Sequence, residues 1–127
     1  MENHSKLLMN ALKKIPGFSK VMFVMLYGSH ADNTQNKLSD IDYAIFYNGN
    51  KKERFRFRLK ILSRLPDKFD IQIFQDLPLF VRKDILKGNL LYAKDESYVY
   101  DIAYETMKDF EHFKKYYYDY IGMEAIS

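Results

Sequence analysis

The sequence predicts an α+β fold, close to α/β, in which helices cover a small β-sheet. Apolar runs of strand length alternate with segments of helical periodicity, the connections between them are short, and no linker or repeat interrupts the chain. The 127 residues match the size of one domain, so we predict a single domain over residues 1–127. Short connections also favour pairing between strands that are neighbours in the chain.

The individual elements follow from periodicity and from the residues that stop each run. Helical spacing of apolar residues predicts four helices, at about 4–15, 51–65, 79–86 and 97–121. Shorter apolar runs predict four strands, at 21–27, 41–47, 69–74 and 90–93. Ser97 is the expected N-cap of the last helix, and the polar residues 30–39 are expected to form a short helix and a loop.

Composition indicates an ordinary globular protein and disfavours several kinds of site. Hydrophobic residues make up 47% of the chain and charged residues 29%. Without Cys there is neither a disulfide nor a thiolate zinc site, and three scattered His, of which we expect His4 and His112 on the surface, offer no zinc cluster. The net charge of +3 is too small to indicate direct nucleic-acid binding. Because no apolar run approaches membrane length, we expect a cytoplasmic protein without membrane association.

The motif with the most chemical content is Gly28-Ser29, separated by ten residues from Asp40-Ile41-Asp42. Gly28 follows the first predicted strand, where a glycine lets the backbone approach a polyanion, and the hydroxyl and N–H groups at Ser29 suit phosphate oxygens. Asp40 and Asp42, two apart on a strand, should project from one face. Two adjacent carboxylates favour a cation such as Mg²⁺, which also binds phosphate oxygens. The motif therefore predicts a metal and nucleotide site, although a turn glycine followed by solvated loop acids is the alternative.

A third acid lies on the third predicted strand. Asp70 and Gln72 alternate with apolar residues in the stretch 69–74, which is typical of a half-buried strand with one polar face. Taken alone, Asp70 is explained equally well as a solvent-facing strand residue.

These segments resemble the minimal nucleotidyltransferases of the DNA polymerase β superfamily, most closely the adenylyltransferase antitoxins that are paired with HEPN-domain toxins. The similarity covers nearly the whole chain: it is strongest at 26–29, 38–45 and 69–74, and weaker at 88–92, 94–96 and 109–110. One departure follows Gly28-Ser29, where family members often continue with an aromatic or other residue, Ala, Arg and Gly. This chain instead has the sequence His30-Ala31-Asp32-Asn33.

The resemblance implies a polymerase β-type fold with a small mixed β-sheet, and a set of roles. Asp40, Asp42 and Asp70 would be the catalytic acids and would bind two Mg²⁺ ions, with Asp70 accepting the proton of the acceptor hydroxyl. Gly28 and Ser29 would bind ATP. The implied reaction transfers AMP from ATP to a hydroxyl, most simply a tyrosine of a cognate HEPN ribonuclease toxin that the chain silences as its antitoxin.

Two alternatives stay open beside this reaction. One is a catalytically decayed antitoxin that acts by binding only, for which Asp32 and Asn33 are the best support. The other is a nucleotidyltransferase that acts on RNA or on a small molecule.

Two further segments bear on partners. Residues 51–60 interleave Lys and Arg with aromatic residues, which suits RNA contact or an acidic partner, but an amphipathic helix that buries Phe55 and Leu59 is the favoured interpretation. The last helix is crowded with aromatic side chains, of which some should pack on the core and others should be exposed for a protein partner, a HEPN toxin in the resembled family. These residues are Phe110, Phe113, Tyr116, Tyr117, Tyr118 and Tyr120.

Overall fold

The computed structural model describes residues 2–28, 31 and 40–121. In chain order the elements are α1 (Glu2–Lys14), β1 (Val21–Tyr27), β2 (Ile41–Tyr47), α2 (Lys51–Leu62), β3 (Phe69–Ile73), α3 (Leu79–Ile85), β4 (Asn89–Ala93) and α4 (Glu96–Ile121). All eight predicted helices and strands are present. The predicted short helix and loop at 30–39 lie, except for Ala31, outside the described residues.

The four strands form one mixed sheet in the order β3-β2-β1-β4. Strand β1 is antiparallel to both β2 and β4, whereas β2 and β3 are parallel and are joined through α2. This confirms the small mixed sheet that the resemblance implies. As a result, the end of β1 and the starts of β2, β3 and β4 lie along one edge of the sheet.

Helices cover both faces of the sheet, and each face has its own layer of core. Helices α1 and α2 pack on one face, where their buried residues meet side chains such as Val24, Tyr43 and Ile71. Helices α3 and α4 pack on the other face, against Phe23 and Met25. Because β1 is buried on both sides, it shows a continuous apolar run in the sequence rather than an alternating one.

Helix α1 also carries polar and aromatic contacts near its start. The hydroxyl groups of Ser5 and Tyr43 form a hydrogen bond of 3.0 Å. The ring of His4 packs edge-on against Phe69, with 5.9 Å between ring centroids, so the expectation that His4 is a surface residue was wrong. His112, in contrast, is exposed as expected.

Helix α2 buries a different face from the one that the sequence suggested. Phe57 and Ile61 are buried, whereas Phe55 and Leu59 are 57% and 48% exposed. The helix also ends at Leu62 instead of residue 65. The favoured interpretation of this segment, in which Phe55 and Leu59 enter the core, was therefore wrong.

Two arginines of α2 contact residues later in the chain. Arg54 makes a bidentate contact with Asp76, with 2.6 Å between Nη2 and Oδ1. Arg58 Nε donates to the carbonyl oxygen of Ile71, also at 2.6 Å. The face that carries these arginines also carries the two buried residues of α2, and the Phe55 face remains in solvent.

Helix α4 begins one residue earlier than expected, and its cap is Asp95 rather than Ser97. Asp95 Oδ1 accepts hydrogen bonds from the backbone N–H of Ser97 at 3.0 Å and from its hydroxyl at 2.8 Å. An aspartate at this position satisfies a free N–H group of the first turn and places a negative charge at the positive end of the helix.

The capping assignment gives a stability prediction. We expect Asp95→Ala to lower the free energy of unfolding by about 1 kcal/mol, because a first-turn N–H loses its acceptor. Ser97→Ala should cost at most about 0.5 kcal/mol, because Ser97 supplies only an exposed donor. Urea denaturation of both variants measures the difference, and a larger loss for Ser97→Ala would contradict the assignment.

The aromatic residues of α4 are far more exposed than expected. The buried positions of this helix, Val99 and Thr106, lie in its first half, and Phe110 is only partly covered, with Lys83 Nζ 4.5 Å from its ring centroid. No later aromatic side chain of the described helix is buried, which corrects the expectation that some pack on the core; these are Phe113, Tyr116, Tyr117, Tyr118 and Tyr120. Although α4 has 26 residues, no helix in the described ranges is long and apolar enough to cross a membrane.

Candidate active site

Backbone pairing brings three separate parts of the sequence together. Tyr27, the last residue of β1, lies opposite Asp42 in the antiparallel pair, and Asp70 lies beside Asp42 in the parallel pair. All three side chains therefore project from one face of the sheet, the face covered by α3 and α4. Asp40 lies one residue before β2 and is exposed. The structure thus places Asp40, Asp42 and Asp70 at one edge, with Asp42 between the other two.

The carboxyl groups of Asp42 and Asp70 interact directly. Burial, a hydrogen bond to Asp70 and the negative charges of Asp70 and Asp40 raise the pKa of Asp42 from 3.8 to about 6. Two carboxyl groups form a hydrogen bond only when one of them keeps a proton. Gln72 Nε2 donates to Asp70 Oδ1 at 3.0 Å, but within the described ranges no Lys or Arg forms an ion pair with these acids. The site is therefore strongly acidic.

These donors suit a hard divalent cation. Carboxylate oxygens are the ligands that Mg²⁺ prefers, and a cation between Asp42 and Asp70 would replace the proton that they share. Among the described residues no three His, Cys, Asp or Glu side chains form a ready-made metal cluster, and Asp40 is exposed. The carboxyl groups of Asp42 and Asp70 suit a metal ion whose remaining coordination positions are filled by other ligands, such as phosphate oxygens.

Tyr27 belongs to the same cluster and was not identified from the sequence. Burial, and then the charges of Asp42 and Asp70, raise the pKa of its hydroxyl to about 12. The Tyr27 hydroxyl therefore stays protonated at neutral pH, and its side chain is an uncharged neighbour of the acids. The signal in the sequence was its position directly before Gly28, at the end of a strand.

Gly28 occupies a backbone conformation that few other residues adopt. Its φ is +73°, in the left-handed region, and a Cβ atom at this position would fall on Asp42 Oδ2. The turn continues with a hydrogen bond from the Ala31 N–H to the Gly28 carbonyl oxygen at 3.1 Å. Ser29 lies outside the described residues, so its contact with phosphate stays a prediction.

A cleft of about 510 Å³ lies beside Tyr27 and Gly28. Its lining comes from the end of β1 and from the turn between α3 and β4, and comprises Tyr27, Gly28, Ala31, Asp84, Lys87 and Gly88. The sequence analysis did not identify Asp84 and Lys87 as site residues. Their location depends on the pairing of Leu26 with Asn89, which draws this turn to the end of β1.

The raised pKa of Asp42 predicts a pH-dependent stability for the metal-free protein. Folding favours the protonated carboxyl, so this contribution to the free energy of unfolding is complete below the ordinary pKa of 3.8 and is lost as the pH rises through about 6. In EDTA, Asp42→Asn should melt several degrees above the unmodified protein at about pH 8 and lose that advantage at about pH 4.5. Thermal unfolding of both proteins across this range measures the effect, and a difference independent of pH would contradict it.

Comparison with known proteins identifies the family. The family model for polymerase beta nucleotidyltransferase domains matches residues 9–97. A protein of Methanocaldococcus jannaschii, provisionally named a protein adenylyltransferase, is 37% identical over 90 residues, which cover 71% of this chain and 70% of that protein.

Solved structures show the same fold. A chain from a toxin–antitoxin structure with AMP-PNP aligns over 96% of this chain and 94% of its own length, with a TM-score of 0.71 and 20% identity. A chain from the complex of the tri-AMPylated Shewanella oneidensis HEPN toxin with its MNT antitoxin aligns over 98% and 93%, with a TM-score of 0.67 and 17% identity. With the family model and the archaeal relative, this establishes that the chain belongs to the polymerase β nucleotidyltransferase family and is a nucleotidyltransferase with that fold.

Proposed function

We propose that this nucleotidyltransferase transfers AMP from ATP to a tyrosine hydroxyl of a HEPN ribonuclease toxin and thereby acts as its antitoxin. The observation that carries the proposal is the pair Asp42 and Asp70, with Asp40 at the rim and the Gly28 turn alongside. The name of the archaeal relative supports adenylyl transfer to a protein. The structural neighbours support ATP as the donor and a HEPN toxin as the acceptor.

Magnesium is part of the proposal, since the carboxylate donors suit it. Asp40, Asp42 and Asp70 would hold Mg²⁺, with two ions when the nucleotide is bound. The bound ions would offset the negative charge of the carboxylates and of the triphosphate.

The residues of this chain provide positioning and proton transfer. The acceptor oxygen attacks the α-phosphorus, the bond to pyrophosphate breaks, and the hydroxyl proton moves to Asp70. Gln72 Nε2 donates to Asp70 Oδ1 at 3.0 Å, which orients the Asp70 carboxyl group at the site. Gly28 lets the backbone turn approach the nucleotide, and we propose that Ser29 binds its phosphates. Tyr27 contributes a neutral side chain that adds no charge to the acidic edge.

The exposed side of α4 is our candidate for the toxin-binding surface. Tyr100 and Tyr104 are 72% and 69% exposed, and the exposed aromatic residues continue along the helix to Tyr120. Aromatic residues are enriched at the centres of protein interfaces, where they lose contact with water. This surface suits a protein acceptor better than a small molecule.

The decisive experiment measures the mass of the acceptor. The protein is incubated with ATP, Mg²⁺ and a HEPN-domain protein from the same genome, and the HEPN protein is then analysed by intact-mass and peptide mass spectrometry. We expect a gain of one or more AMP units on tyrosine, and no gain when Asp42→Asn replaces the unmodified enzyme.

The same experiment separates the alternatives. A stable complex without added mass would favour an antitoxin that acts by binding only. Transfer of label from ATP to RNA, with no label on the HEPN protein, would favour an RNA-directed enzyme. Modification of serine or threonine in place of tyrosine would retain the reaction but correct the acceptor.

A further inference from the structure

We infer that Lys87 binds the terminal phosphates of ATP and is a nucleotide-specificity residue of this enzyme. The inference rests on the proposed function, because it names the residue that recognises the triphosphate at the same site. It assigns the cleft between the Gly28 turn and the α3–β4 turn to the β- and γ-phosphates.

The first argument is location. Lys87 and Gly88 line the cleft together with Tyr27 and Gly28. Tyr27, which lines the cleft, is the register partner of Asp42, and Asp42 Oδ2 lies against Gly28, which also lines it. The cleft therefore begins at the residues that contact Asp42.

The second argument is charge balance. The acids at the edge of the sheet and a triphosphate are all negative, so phosphate binding needs cations from the protein as well as from bound metal. The segment between Gly28 and Asp40 contains one Lys and no Arg, and that residue, Lys37, lies outside the described residues. Lys87 is the single Lys or Arg among the side chains that line the cleft in the described part of the chain.

The third argument is that the ammonium group of Lys87 is easily released to a ligand. Its Nζ lies 3.7 Å from Asp84 Oδ1, and the two side chains are 64% and 69% exposed. An exposed pair of this kind contributes little to stability, so a phosphate can replace Asp84 as the partner of Lys87.

The fourth argument is that the backbone at Lys87 is held in place. A Cβ atom at Gly88 would fall on the carbonyl oxygen of Leu26 and would lie 3.2 Å from Tyr27 Cα. The backbone N–H groups of Lys87 and Gly88 donate to the carbonyl oxygens of Asp84 and Ile85 at 3.1 and 2.9 Å. This close packing holds the turn against the end of β1. The backbone of Lys87 is therefore fixed, while its side chain can still move.

The test compares the affinities for a non-hydrolysable ATP analogue and for AMP, by calorimetry with Mg²⁺ present. Lys87→Gln should weaken binding of the ATP analogue about tenfold and leave AMP binding unchanged, because AMP lacks the β- and γ-phosphates. Lys87→Arg should retain most of the affinity for the ATP analogue. Asp84→Asn should bind it as tightly as the unmodified protein or more tightly, since Lys87 is then free.

The matched control is Lys83→Gln. Lys83 lies on the same helix, but its ammonium group sits over the Phe110 ring instead of lining the cleft. This variant should bind both nucleotides normally.

The outcomes separate this inference from the proposed function. Unchanged affinity of Lys87→Gln for the ATP analogue, or equal weakening for the analogue and AMP, would overturn the role of Lys87 while leaving the proposed function intact. Failure of the unmodified protein to bind the analogue would overturn both. Circular dichroism of Lys87→Gln should match the unmodified protein, because the side chain is largely exposed.

Discussion

Asp42→Asn is expected to lower the rate of AMP transfer by about a thousandfold or more, and Asp70→Asn to have an effect of similar size. Asp42 is central in the acidic cluster, between Asp40 and Asp70, and its carboxylate is the one whose pKa the other two raise. Replacement of either paired acid removes a cation ligand, and replacement of Asp70 also removes the proposed proton acceptor. The change from carboxylate to amide is nearly isosteric, so the fold should be retained.

The rate is measured by release of pyrophosphate and by the mass of the acceptor. Asp67→Asn is the matched control, because Asp67 is an exposed acid in the turn just before β3 and lies outside the cluster. Its transfer rate should remain within about twofold of the unmodified enzyme. Retention of full activity by Asp42→Asn would remove the catalytic assignment of the cluster.

Activity and stability should move in opposite directions for Asp42. A carboxylate with a structural role stabilises the folded state, so its replacement lowers the melting temperature of the protein. Asp42 is held beside two like charges, so its replacement should make the metal-free protein more stable near neutral pH while the enzyme loses activity. This combination distinguishes a functional carboxylate from a structural one.

The sheet face that carries Asp42 and Asp70 could be predicted from the sequence, because the alternation of apolar and polar residues in a strand decides which side chains face the core. In β2 and β3 the apolar residues fix which side faces α1 and α2, so Asp42 and Asp70 must share the opposite face. The parallel pairing then places them side by side. Resemblance to the nucleotidyltransferases added the expectation that Asp70 joins Asp40 and Asp42 in one site, which periodicity alone does not give.

The orientation of α2 could not be predicted in the same way. Phe55, Phe57, Leu59 and Ile61 are all apolar, and the helix can bury either pair on grounds of hydrophobicity alone. The observed orientation includes the contact of Arg54 with Asp76, which is 22 residues further along the chain. Such a contact becomes visible only once the strand and the turn that follow have been placed.

The position of Lys87 at the cleft could not be predicted from the sequence for a related reason. It lies in a turn with no motif of its own, far in the sequence from Gly28. The cleft that it lines exists only because β4 pairs with β1 on the side away from β2. Motifs identify residues that act through local spacing, whereas a cleft between two turns depends on the topology of the sheet.

Gly28→Ala is expected to reduce AMP transfer about a hundredfold and to destabilise the protein by roughly 1–3 kcal/mol. The φ of +73° is strained for any residue with a side chain, and the added methyl group would fall on Asp42 Oδ2. Either the turn or the carboxylate must move. Both changes disturb the contact between the nucleotide turn and the acids, so activity should fall further than stability alone explains.

Gly17→Ala separates the two effects. Gly17 has a φ of +99°, and a Cβ atom there would lie 2.7 Å from the Tyr47 hydroxyl, so this variant carries comparable backbone strain and crowding away from the acidic cluster. Its melting temperature should fall by a similar amount, whereas its transfer rate, assayed well below that temperature, should stay within about twofold of the unmodified enzyme. Equal losses of activity in both variants would mean that Gly28 supports the fold alone. A loss of activity confined to Gly28→Ala would show that the site requires glycine at this position. The Gly28 backbone lies against the Asp42 carboxylate, where the nucleotide is proposed to bind, and leaves no room for a side chain.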